Sequence, residues 1–517
     1  MAEGTKGVVA AGHQASAQAG ADVLAAGGNA VDAAIATAFA ACVAEPFLTA
    51  LGAGGFMLVH DHKSGQDVLL DFFVAMPGEG LDSSRRLGRL VPAPLDFGGA
   101  TQLFHAGHAS VGVPGLVAGL FEAHDRFATM PMSDLIQPAQ ALAREGVTVN
   151  TQAAFFFKLL ANILKLSEES RQVFFDDAGY LTEGETFYHR NLTGTLAALA
   201  TEGPDLFYQG DIAAALVTEM ERGGGYITRQ DLAKYRVIER SPVEVTYRQA
   251  VLKSNPPPSS GGALVAHSLR LLGDFDVASM PWQSTPHLHH LAATMRATNE
   301  VRKARFDDNL REEDVLDRLL GEAAISGDRS GLADRLGNTT HLSVIDAAGN
   351  AVSMTSSNGA NSGIGIAGTG ILLNNILGEE DLNPQGFHQH PAGQRLTSMM
   401  APTLVLERGE VRLALGSAGS NRIRSAVLQT VSNVFDFQLP VAEAIAAPRI
   451  HFEGGALEVE AGIPEKTIKD LAASGWKLNV WPDSNAFFGG VQAAARETDG
   501  VLSGAGDPRR GGTAVVV

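Results

Sequence analysis

The chain has 517 residues, 45% of them hydrophobic and 19% charged, which is the composition of a core-forming globular protein and excludes a disordered one. Its 39 Lys and Arg against 57 Asp and Glu leave a formal charge of −18, a surface that repels phosphate backbones and argues against nucleic acid as a partner. A single cysteine, Cys42, excludes an intrachain disulfide and permits a reducing compartment.

The N-terminal residues show no basic start followed by an apolar core, so no signal peptide is read there. The most apolar stretch, Ala30 to Ala44, is interrupted by Asp32 and is too short to span a bilayer, and a cytoplasmic protein without a membrane partner is expected. In "GGNAVDAAIATAFAACVAEP", Val31, Ile35, Phe39 and Val43 recur every four residues and predict a helix, with Asn29 as N-cap and Asp32 three residues on. Cys42 lies in this Ala-rich run and reads as a buried structural thiol. "GAGGFMLVHDHKSGQDVLLDFF" reads as a hairpin turned at "KSGQ"; the glycines from Gly52 to Gly55 lack the spacing and the following helix of a phosphate loop.

The middle of the chain reads as mostly helical, through "PGLVAGLFEAHDRFA", "SDLIQPAQALAREG", "AAFFFKLLANILKLS" and a helix after Gly210. "NPPPSSGGALVAHSLRLL" is a stiff proline loop feeding another helix, with Ser259 and Ser260 at the capping positions. From about residue 339 the texture changes to alternating strands: "THLSVID", "NAVSMTSS", "GILLNN", "PTLVLERGEVRLALGS" and "ALEVEAG". Helices before and strands after suit two domains, but the early hairpin also needs a sheet partner, which suits one shared layered core.

Few chemical motifs survive inspection. No GxSxG elbow is present. His287, His289 and His290, and separately His388 and His390, lack an acidic residue at a telling spacing, and there is no HExxH; they read as capped or surface histidines, and no metal or cofactor is expected. The run "GNTTHLSVIDAAGN" places a Gly337–Asn338 turn just before a strand that opens with two threonines. One reading is strand propensity. The other is a nucleophile: a cut between Asn338 and Thr339 would free an α-amine with a pKa near 8, against about 10.4 for lysine, a few bonds from the Thr339 hydroxyl. Before such a cut that nitrogen is an amide and cannot act as a base.

Further blocks decide between these. "AAGHQASAQAGADVLAAGGNAVDAAIATAFAACVAEP", "GAGGFMLV", "DLFYQGDIAAALV", "ITRQDLAKYRV", "PPPSSGG", "NTTHLSVIDAAGNAVSMT", "SMMAPTLVL", "GSAGSNRI" and "DPR" together resemble γ-glutamyltranspeptidases, self-processing N-terminal-nucleophile hydrolases, nearly end to end. The resemblance implies a four-layer αββα sandwich of the α/β class, shared by a large subunit (1–338) and a small subunit (339–517) that form a heterodimer of the chain's own fragments, with higher oligomers open. It implies Thr339 as nucleophile, Asn338 as the residue before the cut, Ser357 as a hydroxyl holding the nucleophile, and the backbone N–H groups of Gly419 and Ser420 as oxyanion hole. It also implies Ser398, Glu379 and Asn358 as substrate-binding residues.

Three departures bear on the substrate. Phe73 stands where the family has an arginine that clamps the substrate's α-carboxylate, Met399 replaces a second carboxylate-binding serine, and Ile376 replaces a polar residue. The loss of a charge-assisted Arg contact costs roughly 2–3 kcal/mol. The segment from Asn375 to Ser398 is also shorter than in family members with a lid over the site, which implies an open pocket. The resemblance therefore implies a small-molecule amide substrate, γ-glutamyl or related, with water or an amine as acceptor. An acylase of the same fold acting on another acyl group, as in cephalosporin acylases, is the alternative, favoured by Phe73 and Met399; a catalytically silent binding homologue is the rival from another class.

Overall fold

The computed structural model describes residues 5–82, 84, 86–96, 101–321, 339–383 and 386–517; the Gly337–Asn338 turn lies outside them. Its centre is a pair of large antiparallel sheets built from β1 (Gly7–Ala11), β2 (Gly54–Asp61), β3 (Gln66–Phe72), β4 (Ile238–Arg240), β5 (Val243–Tyr247), β6 (Ala250–Ser254), β7 (Thr340–Asp346), β8 (Ala351–Ser357), β9 (Thr403–Glu407), β10 (Glu410–Ala418), β11 (Gly490–Arg496), β12 (Leu502–Gly506) and β13 (Thr513–Val516). The seven-stranded sheet runs β4-β3-β2-β8-β7-β1-β13 and the six-stranded sheet β5-β6-β9-β10-β11-β12. They pack face to face through β7, β8 and β1 against β10, β11 and β12. The helices α1 (Gln14–Ala25), α2 (Ala30–Ala44) and α3 (Leu116–Phe127) cover the first sheet, and α4 (Gly261–Gly273) and α5 (Arg422–Phe435) cover the second. This is a four-layer αββα sandwich. Both sheets draw strands from each side of residue 338, so a single layered core is formed.

Local chemistry explains the elements. Asn29 accepts from the N–H groups of Val31 and Asp32, and Asp32 returns a bond to the Asn29 N–H at 2.8 Å, which is the expected capping box. Every residue of α2 is buried, because its alanines let it lie flat between β7, β8 and other helices. The hairpin of β2 and β3 forms as read, with Gly65 at φ 69° in its turn. Two readings are corrected. Residues 243–254, within the stretch read as mostly helical, form β5 and β6; Glu244 and Thr246 alternate outward to solvent, so their apolar signal is diluted. In "GILLNN" only Ile371–Leu372 is strand, in a two-stranded ribbon outside the sandwich.

Side-chain alternation sets what lies between the sheets. Leu342 and Val344 join the core under the α1–α3 layer, whereas Ile345 and Ala351 face the second sheet with Phe56, Leu58, Leu404 and Ala414. Toward the Thr340 end that inter-sheet layer turns polar. His341 sits fully enclosed between Thr355 Oγ1 (2.7 Å from Nδ1) and Ser343 Oγ (3.0 Å from Nε2), and Ser343 Oγ donates to the Gln492 carbonyl at 3.2 Å. Ser343 therefore accepts from an Nε2–H and Thr355 donates to Nδ1, which fixes a neutral tautomer; burial pushes its pKa down to about 3. Gly416 of β10 lies flat on the His341 ring, where a methyl group would overlap it. Gly416→Ala should therefore lower stability by about 1–3 kcal/mol, read from the urea unfolding midpoint, through overpacking rather than lost burial; an unchanged midpoint would show that the ring has room to shift.

Candidate active site

Thr339 precedes β7 and is 5% exposed. Thr340 pairs with Ser356 across the β7/β8 ladder, so Thr339 stands abreast of Ser357, and both face the second sheet, as His341 and Thr355 do. Ser353 Oγ donates to the Leu415 carbonyl at 2.9 Å, and Gly416 covers His341 one step nearer the Thr339 end. The same walk along β10 brings Ala418, Gly419 and Ser420 to that end. Gly419 has φ 118° and Ser420 φ 50°, and the turn leads directly into α5. The N–H groups of both residues donate to no acceptor among the described residues. A serine in left-handed backbone is strained where glycine would not be; here its hydroxyl donates to Asp381, which anchors the turn.

The other expected residues divide into two groups. Ser357 accepts from the Gly359 N–H at 2.9 Å. Asn358 donates its N–H to the Leu48 carbonyl at 2.8 Å, while neither its Oδ1 nor its Nδ2 has a partner among the described residues, although it is fully buried. Glu379 accepts from the Ala360 N–H at 2.8 Å; burial, and then the neighbouring Asp381, push its carboxyl well above the usual range. Ser398 Oγ accepts from the Met400 N–H at 3.0 Å. Its carbonyl accepts from Ser259 Oγ and from the N–H and Oγ of Ser260. Ser259 and Ser260 are thus structural, but they pin the Ser398 strand instead of capping α4 with their side chains.

Phe73 and Met399 depart from expectation. Phe73 is 0% exposed and stacked on Phe56, with ring centroids 5.4 Å apart, among Val74, Ile376 and Leu404. Met399 packs under the second sheet with Val265 and Leu269, and its sulfur accepts from Ser260 Oγ at 3.2 Å. Both side chains belong to packed core, because an apolar group gains more from that core than from a polar pocket, so neither offers a surface to a substrate. Ile376 lies in the same cluster as Phe73. The arginine beside Phe73 is already committed. Arg395 pairs with Asp71 at 3.1 Å, donates to the carbonyls of Phe73 and Arg236 at 2.6 and 2.8 Å, and lies over the Tyr235 ring.

The sequence reading missed a floor beneath Thr339. Thr340 Oγ1 donates to Glu45 Oε2 at 2.5 Å, Thr49 Oγ1 and Ser356 Oγ are 2.9 Å apart, and Leu48 holds Asn358. Residues 45–49 thus grip the strands on both sides of Thr339–Ser357 from the helix side. A signal existed: Glu45 is the sole acidic or basic residue other than histidine between Asp32 and Asp61. Among the described residues, no group of three or more His, Cys, Asp or Glu could hold a metal, and no helix is long and apolar enough to cross a membrane. His287 accepts from the Gln283 N–H, and His289 accepts from Trp476.

A four-layer αββα sandwich with a threonine heading a central strand, a hydroxyl abreast of it and, at the same end, backbone N–H groups without an acceptor among the described residues has the form of an N-terminal-nucleophile hydrolase. Comparison with known proteins agrees. The family model described as Gamma-glutamyltranspeptidase matches residues 16–517. The glutathione hydrolase proenzyme of Escherichia coli is 35% identical, over 98% of this chain and 90% of that one, and the acylase ACY 1 proenzyme of Pseudomonas sp. strain SE83 is 32% identical, over 100% and 94%. The crystal structure of the cephalosporin acylase from Bacillus halodurans superposes with a TM-score of 0.84 at 26% identity, covering 99% of this chain and 96% of that one. The chain belongs to the γ-glutamyltranspeptidase family, and it is an enzyme, a self-processing amidohydrolase.

Burial pushes the Glu45 carboxyl up to about 7 from 4.5, against the opposing bond from Thr340, and its Oε1 has no partner among the described residues. A carboxyl whose folded pKa is raised favours the fold when neutral. Its contribution is complete below pH 4.5 and is lost as pH rises through about 7. Glu45→Gln should therefore stabilise the protein by roughly 3 kcal/mol above pH 8 and by little at pH 4. Chemical denaturation across that range tests it, and a pH-independent difference would rule out the titration.

Proposed function

We propose that the chain cuts itself between Asn338 and Thr339, and that Thr339 then hydrolyses small-molecule amides through an acyl-enzyme. The two fragments, 1–338 and 339–517, stay together as a heterodimer, since strands of both interleave in each sheet. The observation that carries the reading is the pair of N–H groups at Gly419 and Ser420 that have no acceptor among the described residues, at the sandwich end that Thr339 heads. In the reaction, Thr339 Oγ1 attacks the amide carbonyl while its own α-amine takes the hydroxyl proton. The carbonyl oxygen becomes an anion received by those N–H groups. Collapse expels the amine with a proton and leaves an ester, which water or an amine acceptor resolves. Ser357 holds the nucleophile.

The acyl group meets Asn358, Glu379 and Ser398. Asn358 brings an unsatisfied amide, which favours a ligand that both donates and accepts. An arriving ammonium would favour the charged form of Glu379 against the burial that disfavours it. The position of the clamping arginine is Phe73, and the neighbouring Arg395 is spent on the Asp71 carboxylate and on the carbonyls of Asp71, Phe73 and Arg236. We therefore favour an acyl donor that carries an amine or other polar group but not one recognised by its α-carboxylate. Relatives bearing both the glutathione hydrolase and the acylase names are consistent with either donor class.

Two measurements test this. Mass spectrometry of purified protein should find fragments 1–338 and 339–517, and Thr339→Ala should stay whole; an active preparation in one piece would end the processing proposal. For the donor, kcat/KM on γ-glutamyl-p-nitroanilide should exceed that on its analogue without the α-carboxylate by less than tenfold, or about 1.4 kcal/mol. A larger advantage would mean that some cation does grip that carboxylate.

A further inference from the structure

Three buried arginines each hold one carbonyl of the turn Ala486–Phe488. Arg510 donates to Ala486 from Nε and Nη2 at 3.2 and 2.9 Å, Arg422 to Phe487 at 3.3 Å, and Arg449 to Phe488 at 3.1 Å. Arg449 is also paired with Asp507 at 2.7 Å. Arg510 differs. No carboxylate lies within ion-pair distance of it among the described residues, its Nη1 has no acceptor, and it is 8% exposed. A buried guanidinium without a carboxylate in contact costs several kcal/mol, and such a group calls for an explanation. The charges that face it are Arg422 and Arg449, which with burial push its pKa down to about 10, and Asp507, which opposes them. It remains protonated at neutral pH.

Its place in the fold points to the reacting end. The Arg510 stem crosses Gly490, where any side chain would collide with it. Its Nη2 lies 3.4 Å from the point that a Cβ on Gly419 would occupy, and the backbone of Gly489, next to the clasped turn, lies 3.2 Å from the same point. The other side of the guanidinium faces Phe156 at 5.8 Å; Phe156 stacks on Phe47 at 5.2 Å, two residues beyond Glu45, which holds Thr340. Arg510 therefore belongs to a ring of contacts that begins under Thr339 and closes at Gly419. In a water-poor interior a charge acts over several ångströms.

We propose that Arg510 supplies the positive charge that balances the anion formed at the Gly419–Ser420 turn, acting beside Gly419 and not on the substrate. The proposal rests on the oxyanion role assigned to that turn above. No proton leaves Arg510: the Thr339 Oγ1–carbon bond forms, the carbonyl electron pair moves to oxygen, and the hydroxyl proton goes to the Thr339 amine. The charge is met only by the tetrahedral state, so its loss should lower kcat and spare KM.

The test uses the self-processed enzyme on an anilide it turns over, together with a boronate analogue that forms a tetrahedral anion on Thr339. Arg510→Gln keeps a donor for Ala486 and removes the charge; Arg510→Lys keeps the charge. Arg510→Gln should lose tenfold or more in kcat, with KM within threefold and boronate affinity reduced in parallel, and Arg510→Lys should recover most of both. Equal impairment of the two variants, or a Gln variant as active as the parent, overturns the proposal. If Arg510→Gln fails to fold, the Lys variant decides alone, since near-parental kcat and boronate affinity are required of it. If the parent itself does not bind the boronate while turning over the anilide, the oxyanion assignment falls first.

Discussion

The hydrogen-bonded pairing of Thr340 with Ser356, deep inside a seven-stranded sheet, is the constraint on which the rest of the site depends. β7 has a strand on each side, a helix layer beneath and a second sheet above, so the residue that heads it has little freedom of its own. A nucleophile on a loop would lose entropy each time it was positioned. Here that cost is met once, when the sandwich folds. The gradient between the sheets serves the same end. Apolar packing around Ile345 and Phe56 gives way to the His341, Ser343 and Thr355 network, whose hydrogen bonds specify one alignment of the sheets where apolar contacts would tolerate several.

What could be read beforehand followed from local physics. The α2 cap, the β2–β3 hairpin and the strand led by Thr340 each announce themselves within a dozen residues, because caps, turns and alternation are short-range effects. The roles proposed for Thr339, Ser357, Gly419 and Ser420 came from a resemblance, and no spacing in the chain would have assembled them. Long-range packing was hidden. Phe73 and Met399 looked like substitutions in a pocket because they stand where the resembled family has an arginine and a serine that hold a carboxylate, yet each side chain turned into an apolar cluster formed by distant strands. β5 and β6 were missed for the opposite reason, since alternate residues of β5 face solvent and those of β6 are only partly buried. Arg510 and Gly419 are 510 − 419 = 91 residues apart, and only folding makes them neighbours.

Charge is sorted by depth in this molecule. The net charge is −18, yet the interior behind the Gly419 turn is rich in arginine, with Arg449 and Arg509 paired to Asp507 and Glu460 at 2.7–3.1 Å in almost complete burial. Such pairs contribute less to stability than their number suggests, because desolvation offsets much of their attraction. They do fix geometry: Arg509 is bidentate on Glu460 and also holds the carbonyls of Ile445 and Ala447. Long-range attraction of an anionic substrate is weak under these conditions, and recognition is left to short-range groups.

The edge of the first sheet carries one more implication. β1 and β13 are antiparallel neighbours, with Val8 opposite Val516, and Val517 and Gly7 exchange backbone hydrogen bonds at 3.0 and 3.1 Å. A turn of a few residues from Val517 to Gly7 would complete an ordinary hairpin. The gene could then be opened at codon 339, giving a circularly permuted polypeptide in which the initiator methionine precedes Thr339. Removal of that one methionine by the cell's own aminopeptidase would expose the threonine amine, and maturation would pass from an internal rearrangement to routine N-terminal trimming.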